Sequence, residues 1–360
     1  MSIFNKQSAL SRVNKRKKRK KILQIVLVIL TVFFLSIAVL VGYASWKIDR
    51  VIDKASDPND KAVGASDQGQ KKNANLEDNP FALLIIGEDY RVETGSRNTD
   101  ALIVSIWNPE NEKITLLSIP RDTKVTLPDN GDVKINSVYA KGEIDKHQQE
   151  RNGEEVTTSG AQLLMSVVSE LLDIPVEHYV KLDFKGFEAV IDELGGIPMD
   201  VERDMVYYSA ADNTNINLKK GFQTLNGKEA LDYARFRRSN DGNDSSDFER
   251  NDRQQKIIKA VVDKIISFTG ISKIFTIIDI AGEHLKTNLS SDEVKGIFTE
   301  YKGIRKDDLI SLKMESYWKN PFVYVDQDEL IRIQEELKKA LDPVSDVTQS
   351  TDKDLNSQNG

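Results

Sequence analysis

The 360-residue chain contains no cysteine. Disulfide staples, thiolate metal sites and cysteine nucleophiles are therefore excluded. Histidine is almost as scarce. His147, His178 and His284 stand far apart, without the spacing of a histidine-built zinc site. There is no Gly-x-Ser-x-Gly elbow and no His-Glu-x-x-His segment, so the common serine and zinc hydrolase arrangements are missing too. No internal repeat is present, which excludes solenoids and propellers. Hydrophobic residues make up 39% of the chain, low for a compact globule, because polar segments flank a richer core.

One uncharged stretch stands out. From Ile22 to Trp46 there is no charged residue, a length that spans a bilayer as one helix. Before it lies RVNKRKKRKK, Arg12 to Lys21. A basic flank of that density predicts a cytoplasmic N-terminus, residues 1–21, with everything after the helix outside the cell membrane. A cleaved signal peptide would have a shorter apolar core and small residues at its end, so the spacing predicts an uncleaved single-pass anchor over residues 22–46. Nine of the 50 Lys/Arg and none of the 57 Asp/Glu lie in residues 1–21, leaving a net charge of −16 beyond them. Net charge therefore cannot steer an anionic ligand; clustered donors must capture it at short range. Nucleic acid is not expected as a partner, because the basic arm abuts a membrane helix and no reading module follows.

Residues 47–79 are polar and read as an extracellular stalk, and residues 343–360 read as a disordered tail. Between them, residues 80–342 form the expected folded domain. FALLIIG (Phe81–Gly87), DALIVSIW (Asp100–Trp107) and KITLLSIP (Lys113–Pro120) are short apolar runs ended by turn residues, the pattern of buried strands. Gly160–Leu172 has helical spacing, His178–Phe184 reads as a strand, and FKGFEAVIDELGG reads as a helix stopped by Gly195-Gly196. Helices are expected over Gly227–Tyr233, Phe248–Phe268, Ile271–Leu285, Asp292–Lys302 and Asp328–Leu341, with a late strand at Leu309–Met314. Alternating strands and helices predict a three-layer α/β/α sandwich around a central mixed sheet.

Charged residues gather at the predicted strand boundaries. GEDYR puts Asp89 and Arg91 just past the first strand, SRNTD puts Arg97 and Asp100 before the second, and SIPRDT puts Arg121 and Asp122 after the third. Ligands in open α/β sheets collect at such ends. A second cluster is YARFRRSNDGNDSSDFERNDRQQ, Tyr233 to Gln255. Extended geometry at ARFRR would put Arg235 and Arg237 on one side. The S-x-x-E spacing of Ser246 and Glu249 predicts a capping box, with Asp247 as an alternative cap. Arg250, Arg253 and Gln254 then share one face of the first helical turns, near the positive end of the helix dipole. Guanidinium forks from both segments suit a diphosphate, and Asp89 and Asp100 suit a hydrated Mg²⁺ shared with its oxygens. These parts describe phosphoryl transfer. Two other patterns fail. Asp241–Asp252 has Ser246 where a calcium loop needs glycine, and Gly221–Lys228 has the wrong spacing for a phosphate-binding loop.

The pieces GEDYR, RNTDALIV, SIPRDT, KINSVYAKG, DELGGIPMDV, LNGKEALDYARFR and DFERNDRQQ, in that order from Phe81 to Lys264, resemble the LytR-CpsA-Psr family of cell-envelope proteins. The resemblance implies a Mg²⁺-dependent membrane phosphotransferase. It would move a glycopolymer (teichoic acid, capsule or other wall polysaccharide) from an undecaprenyl-diphosphate carrier to a peptidoglycan hydroxyl, with an apolar pocket for the polyprenyl tail. Position by position, Asp89 and Asp100 match the family's acidic positions near metal and attacking hydroxyl. Arg97, Arg121, Arg235, Arg237 and Arg253 match its pyrophosphate-contacting arginines, with Arg250 and Gln254 in the same motif. This chain departs from the family's pattern in the three-residue RNTD spacing, in Ser246 where glycine is usual, and at Gly142-Glu143. A non-catalytic sensor of lipid-linked precursors and a polyprenyl-diphosphate pyrophosphatase are the competing expectations.

Overall fold

The computed structural model describes residues 42–43, 45–56, 76, 79–91, 96–128, 130–209, 214–267, 273, 276–277, 279–280, 282–300 and 305–342. The basic tail, nearly all of the expected membrane helix, much of the stalk and the tail from residue 343 lie outside them. Among the described residues no helix is long and apolar enough to cross a membrane. The chain divides into two units, Met1–Arg50 and Val51–Gly360. The described residues of the first are helical.

The second unit is built on a six-stranded mixed sheet. In chain order its first strands are β1 (Phe81–Arg91), β2 (Ser96–Asn108) and β3 (Lys113–Ser118), an antiparallel meander. A hairpin of β4 (Lys124–Leu127) and β5 (Gly131–Lys134) follows, then helices α1 (Val138–Asn152) and α2 (Gly160–Leu172). Strand β6 (His178–Asp183) returns parallel to β1 and leads into α3 (Phe184–Glu193). Two small antiparallel pairs come next: β7 (Ile197–Val201) with β10 (Gly221–Leu225), and β8 (Met205–Ser209) with β9 (Thr214–Leu218). Then come α4 (Gly227–Arg235), α5 (Asp247–Ile266), β11 (Leu285–Thr287), α6 (Ser291–Glu300), β12 (Leu309–Leu312), the hairpin β13 (Tyr317–Lys319) and β14 (Phe322–Tyr324), and α7 (Gln327–Ala340). The large sheet runs β11-β6-β1-β2-β3-β12.

Strand β1 is apolar at every position from Phe81 to Ile86 because both of its faces are covered. Ala82, Leu84 and Ile86 pack with Tyr139, Leu164, Ile333 and Leu337 of α1, α2 and α7. Leu83 and Ile85 point the other way, where Ile258 and Val262 of α5 and Ile297 of α6 pack over Ile103, Ile114 and Leu116. Each fully buried aliphatic side chain contributes roughly 1.5–3 kcal/mol by removal from water. A second core joins β7, β9 and β10 to α3, α4 and α5 through Ile191, Ile197, Val201, Leu225 and Phe236.

Local signals fix the element ends. Ser159 forms a capping box with Gln162 at the start of α2. Asp183 accepts from Gly186 N at 2.8 Å to open α3. After α3 the chain takes positive φ at Gly195 (78°) and Gly196 (82°). At Gly196 a Cβ would also lie 2.8 Å from Leu225 O, so this pair must be glycine.

Several expectations are corrected. Asp89 and Arg91 lie inside β1 rather than past it, and Arg97 and Asp100 lie inside β2 rather than before it. The hairpin continues because each residue past Gly87 finds a cross-strand partner. The helix expected through Leu285 stops short, since Leu285 already pairs with Leu182 in β11. Helix α1 carries no apolar periodicity. Its buried residues are Val138, Tyr139, Gly142 and Lys146, a stripe half made of glycine and lysine.

Candidate active site

Pairing between β1 and β2 runs in step to Gly87↔Ala101 and resumes at Glu88↔Thr99. Asp100 is the residue left over, a β-bulge. In a regular strand, successive side chains alternate faces, and Asp100 would turn toward α1 while Ala101 faced α5. The bulge breaks that alternation: Asp100 and Ala101 both line the same cavity on the α5 side of the sheet. Gly87 completes its floor, and a Cβ there would approach Ala101 Cβ to 3.0 Å.

Arg121 meets Asp100 from the turn after β3. Its Nη1 donates to Asp100 Oδ1 at 2.6 Å, with the two side chains 24% and 18% exposed. The turn is held by backbone bonds on both sides: Asn136 N donates to Arg121 O at 3.1 Å and Ile135 N to Thr123 O at 2.9 Å. The neighbouring Asp122 is buried and accepts from Lys134 Nζ at 3.1 Å. Asp122 thus anchors the turn that presents Arg121.

The cavity holds about 250 Å³ between the sheet, α3, α4 and α5. Its polar lining residues are Asp100, Arg235 and Gln254; the rest include Ile85, Ile103, Phe187, Ile258 and Val262. Gln254 lies eight residues, about 12 Å of helix, before Val262 on α5, and Asp100 lies three residues before Ile103 on β2. Arg235 is the last residue of α4, and its guanidinium sits 4.8 Å from the Phe184 ring centroid. The extended geometry expected at ARFRR is therefore corrected: Arg235 is helical, and Phe236 turns the chain.

Ser246 and Glu249 form the expected capping box, with Ser246 as N-cap; Glu249 N donates to Ser246 Oγ at 3.2 Å and Ser246 N to Glu249 Oε2 at 2.8 Å. Arg253 does not face the cavity. It is fully buried, and donates to Glu202 Oε1 (3.0 Å), Phe236 O (2.5 Å) and Ser245 Oγ (2.6 Å). Its guanidinium ties α5 to the α4 turn, and burial lowers its pKa against the pull of Glu202. Burial opposes ionisation of Glu202, yet hydrogen bonds from its own backbone, Arg253 and Tyr233 hold its carboxyl below the usual range. Tyr233 OH donates to Glu202 Oε2 at 2.9 Å; burial first, then the Glu202 charge, pushes its pKa up. Arg250 is buried and Arg237 half-buried, and neither lines the cavity. For Asp89, Arg91 and Arg97 the backbone register alone is described: Asp89 faces Asn98, Tyr90 faces Arg97 and Arg91 faces Ser96.

Sequence reasoning missed the cavity walls. Positions 257, 258, 261 and 262 of α5 follow a helical stripe, which reads as core packing until the structure opens a space beside it. Gln255 was also missed. It is buried and donates to Ser118 Oγ at 3.2 Å and Leu312 O at 3.3 Å, joining α5 to β3 and β12. Among the described residues no group of three His, Asp or Glu could hold a metal ion. In the loop after α4, Asp241 and Asp244 accept from Asn243 N (3.0 Å) and Ser239 N (2.8 Å).

Residues 49–339 match the LytR_cpsA_psr family. The chain belongs to the LytR-CpsA-Psr family. A LytR-CpsA-Psr relative, the polyisoprenyl-teichoic acid–peptidoglycan teichoic acid transferase TagV of Bacillus subtilis, is 34% identical over 336 residues, covering 89% of this chain and 80% of the relative. The crystal structure of B. subtilis TagV superposes with a TM-score of 0.58, covering 74% of this chain and 98% of that one. A LytR-CpsA-Psr structure of TagT with bound octaprenyl pyrophosphate lipid superposes at 0.55 with 25% identity, covering 78% and 96%. Among LytR-CpsA-Psr relatives, curated transferases of this kind recur.

Proposed function

We propose that this protein transfers an anionic glycopolymer from a polyprenyl-diphosphate carrier, undecaprenyl diphosphate, to a peptidoglycan hydroxyl. The observation that carries the reading is the apolar cavity with Asp100 among its lining residues. Its apolar walls suit a hydrocarbon tail, and Asp100 carries the pair with Arg121. An amphiphile with a charged head and a long apolar tail matches that division. The TagT structure with bound octaprenyl pyrophosphate supports the same class of ligand.

In this reading Arg121 and Arg235 hold the diphosphate, and their planar forks match its oxygens in a way lysine does not. The acceptor hydroxyl oxygen attacks the phosphorus that carries the glycopolymer, and a new phosphodiester forms. The bridging P–O bond breaks, polyprenyl phosphate leaves with the electron pair, and no proton is needed on that anion. A carboxylate, Asp89 or Asp100, takes the hydroxyl proton. Mg²⁺ would be held by the Asp100 carboxylate together with substrate phosphates and water, a ligand set usual for that ion. Bound there it would neutralise charge on the diphosphate. The uncharged stretch 22–46 would anchor the domain outside the membrane, where the carrier is embedded.

The test is transfer of radiolabelled, polyprenyl-diphosphate-linked glycopolymer to peptidoglycan by the purified protein. Asp100→Asn and Arg121→Ala should each lower turnover by about two to three orders of magnitude, the scale of losing a charge-stabilising contact. Full activity in either refutes the assignment. Binding without turnover in the unaltered protein would point to a sensor, and release of free phosphorylated polymer to a pyrophosphatase.

A further inference from the structure

A second, smaller cavity opens on the other flank of α5. It holds about 60 Å³ and is lined by Ser118 of β3, by Asn251, Asp252 and Gln255 of α5, and by the segment from Leu312 to Met314. That is space for about four waters, too little for a pyranose ring but enough for a small polar substituent. Leu312 and Met314 pack into the core on the opposite face of the sheet, so their backbone forms this wall. Lys313 and Asp252 pair across the rim at 3.2 Å, 74% and 42% exposed, and one cation beside one anion leaves no net charge to hold a phosphate. Inside, the polar groups are only partly used. Gln255 is 6% exposed, and its Nε2 donates to Ser118 Oγ (3.2 Å) and Leu312 O (3.3 Å). A backbone carbonyl can only accept, which fixes the orientation of the amide and leaves Oε1 without a donor among the described residues. Ser118 Oγ accepts that bond and still has a hydrogen to give. The half-buried Asn251 amide bonds no described residue. A buried acceptor costs stability until something donates to it.

The pocket lies beside the Asp100–Arg121 pair. Along the sheet order β6-β1-β2-β3-β12, the large cavity covers β6, β1 and β2, and the small pocket covers β3 and β12. Arg121 leaves the end of β3 to reach Asp100 on β2, so the pair stands between the two spaces. Ser118 and Arg121 are three residues apart, and their Cα atoms lie within about 11 Å. Helix α5 runs against β3, with Gln255 beside Ser118 and Val262 over the Ile114 cluster. Asn251 therefore stands about one turn, roughly 6 Å, nearer the Arg121 end.

We propose that this pocket takes the acetamido group of the saccharide acceptor, an N-acetylhexosamine of the glycan strand, and so aims a hydroxyl of that strand at the Asp100–Arg121 pair. The inference rests on the transfer reading above. The acetamido N–H would donate to Gln255 Oε1, and its carbonyl would accept from Ser118 Oγ or Asn251 Nδ2. Displacement at phosphorus is in line, with the attacking and leaving oxygens on opposite sides. The leaving oxygen follows the tail into the large cavity, so the attacking one enters from the flank that holds the small pocket. The donor polymer is anionic and would meet Asp252 at the rim, whereas the acceptor sugar is neutral.

The experiment uses the full chain and three probes: a soluble peptidoglycan tetrasaccharide free of teichoic acid, the same glycan after de-N-acetylation, and octaprenyl diphosphate. Ser118→Ala with Asn251→Ala removes both pocket donors and leaves Gln255 its bond to Leu312 O. In calorimetry this double variant should bind the tetrasaccharide about tenfold more weakly, the effect of about 1.4 kcal/mol. The de-N-acetylated glycan should bind the unaltered protein as weakly and be indifferent to the substitutions, and octaprenyl diphosphate should bind both proteins alike. In transfer assays the double variant should raise the acceptor KM with little change in kcat. Three results overturn the proposal: unchanged tetrasaccharide binding in a double variant whose melting curve shows it folded, equal affinity for the two glycans, or no glycan binding by the unaltered protein. A loss confined to soluble teichoic acid overturns it as well. Acetamido-dependent binding that needs Ser118 and Asn251 in a protein without transfer activity would uphold the pocket and refute the transfer reading alone.

Discussion

Replacing Val261 with tryptophan puts an indole into the apolar cavity. Val261 lines the cavity on α5 seven residues beyond Gln254, about 10 Å along the helix axis. A hydrocarbon tail whose head sits at Asp100, Arg235 and Gln254 must pass that level. If the indole displaces about four methylenes, at roughly 0.8 kcal/mol each, the loss is about 3 kcal/mol, or some two orders of magnitude in Kd for octaprenyl diphosphate. Geranyl diphosphate, whose tail ends sooner, should lose far less, and the melting temperature should hold or rise because the ring fills existing space. Calorimetric titration with the two lipids checks this. Equal affinity of the variant and the unaltered protein for octaprenyl diphosphate would refute the placement of the tail.

Arg253→Met removes the buried cation that joins α5 to Glu202 and the Phe236 carbonyl, and should destabilise the domain by about 3 kcal/mol, toward the low end for a broken buried pair because Glu202 is 32% exposed. Glu202 titrates below its unfolded value, so its contribution is present above about pH 4.3 and is lost as pH falls through the folded pKa; denaturant melts below pH 5 should show that acid-side loss shrinking in the variant. His178 is buried edge-on against Phe81, ring centroids 5.9 Å apart, and burial lowers its pKa. Its neutral form is favoured by folding, so stability should decline as pH drops below about 6.5, and His178→Phe should flatten that decline in melts from pH 7.5 to 5.

Much of this fold was open to sequence reasoning where both faces of an element are apolar or where a cap marks its start. The runs in β1, β2 and β3 and the box at Ser246 are such cases. The hidden parts have physical reasons. Helix α1 is held by a stripe containing Gly142 and Lys146, and Gly142 packs so close to Gly160 that a Cβ would lie 2.7 Å from its Cα; hydrophobic period cannot reveal a contact made by missing atoms. At the site, arginine clustering pointed to the right segments but not to their division of labour. Arg235, Gln254 and Asp100 line the cavity and Arg121 pairs with Asp100, whereas Arg253 turns inward to Glu202, a residue without a motif of its own. Spacing along a helix says which residues share a face; what that face meets depends on chain more than fifty residues away.

The extra residue at Asp100 makes the reading frame of β2 a chemical variable. Deleting Thr99 would let the hairpin zip without interruption. The carboxylate would nonetheless emerge on the opposite side of a wall one polypeptide thick, separated from the hydrocarbon chamber and its guanidinium partner. A chain so shortened by a single residue could keep its fold and its full inventory of charged groups while losing the meeting point between them.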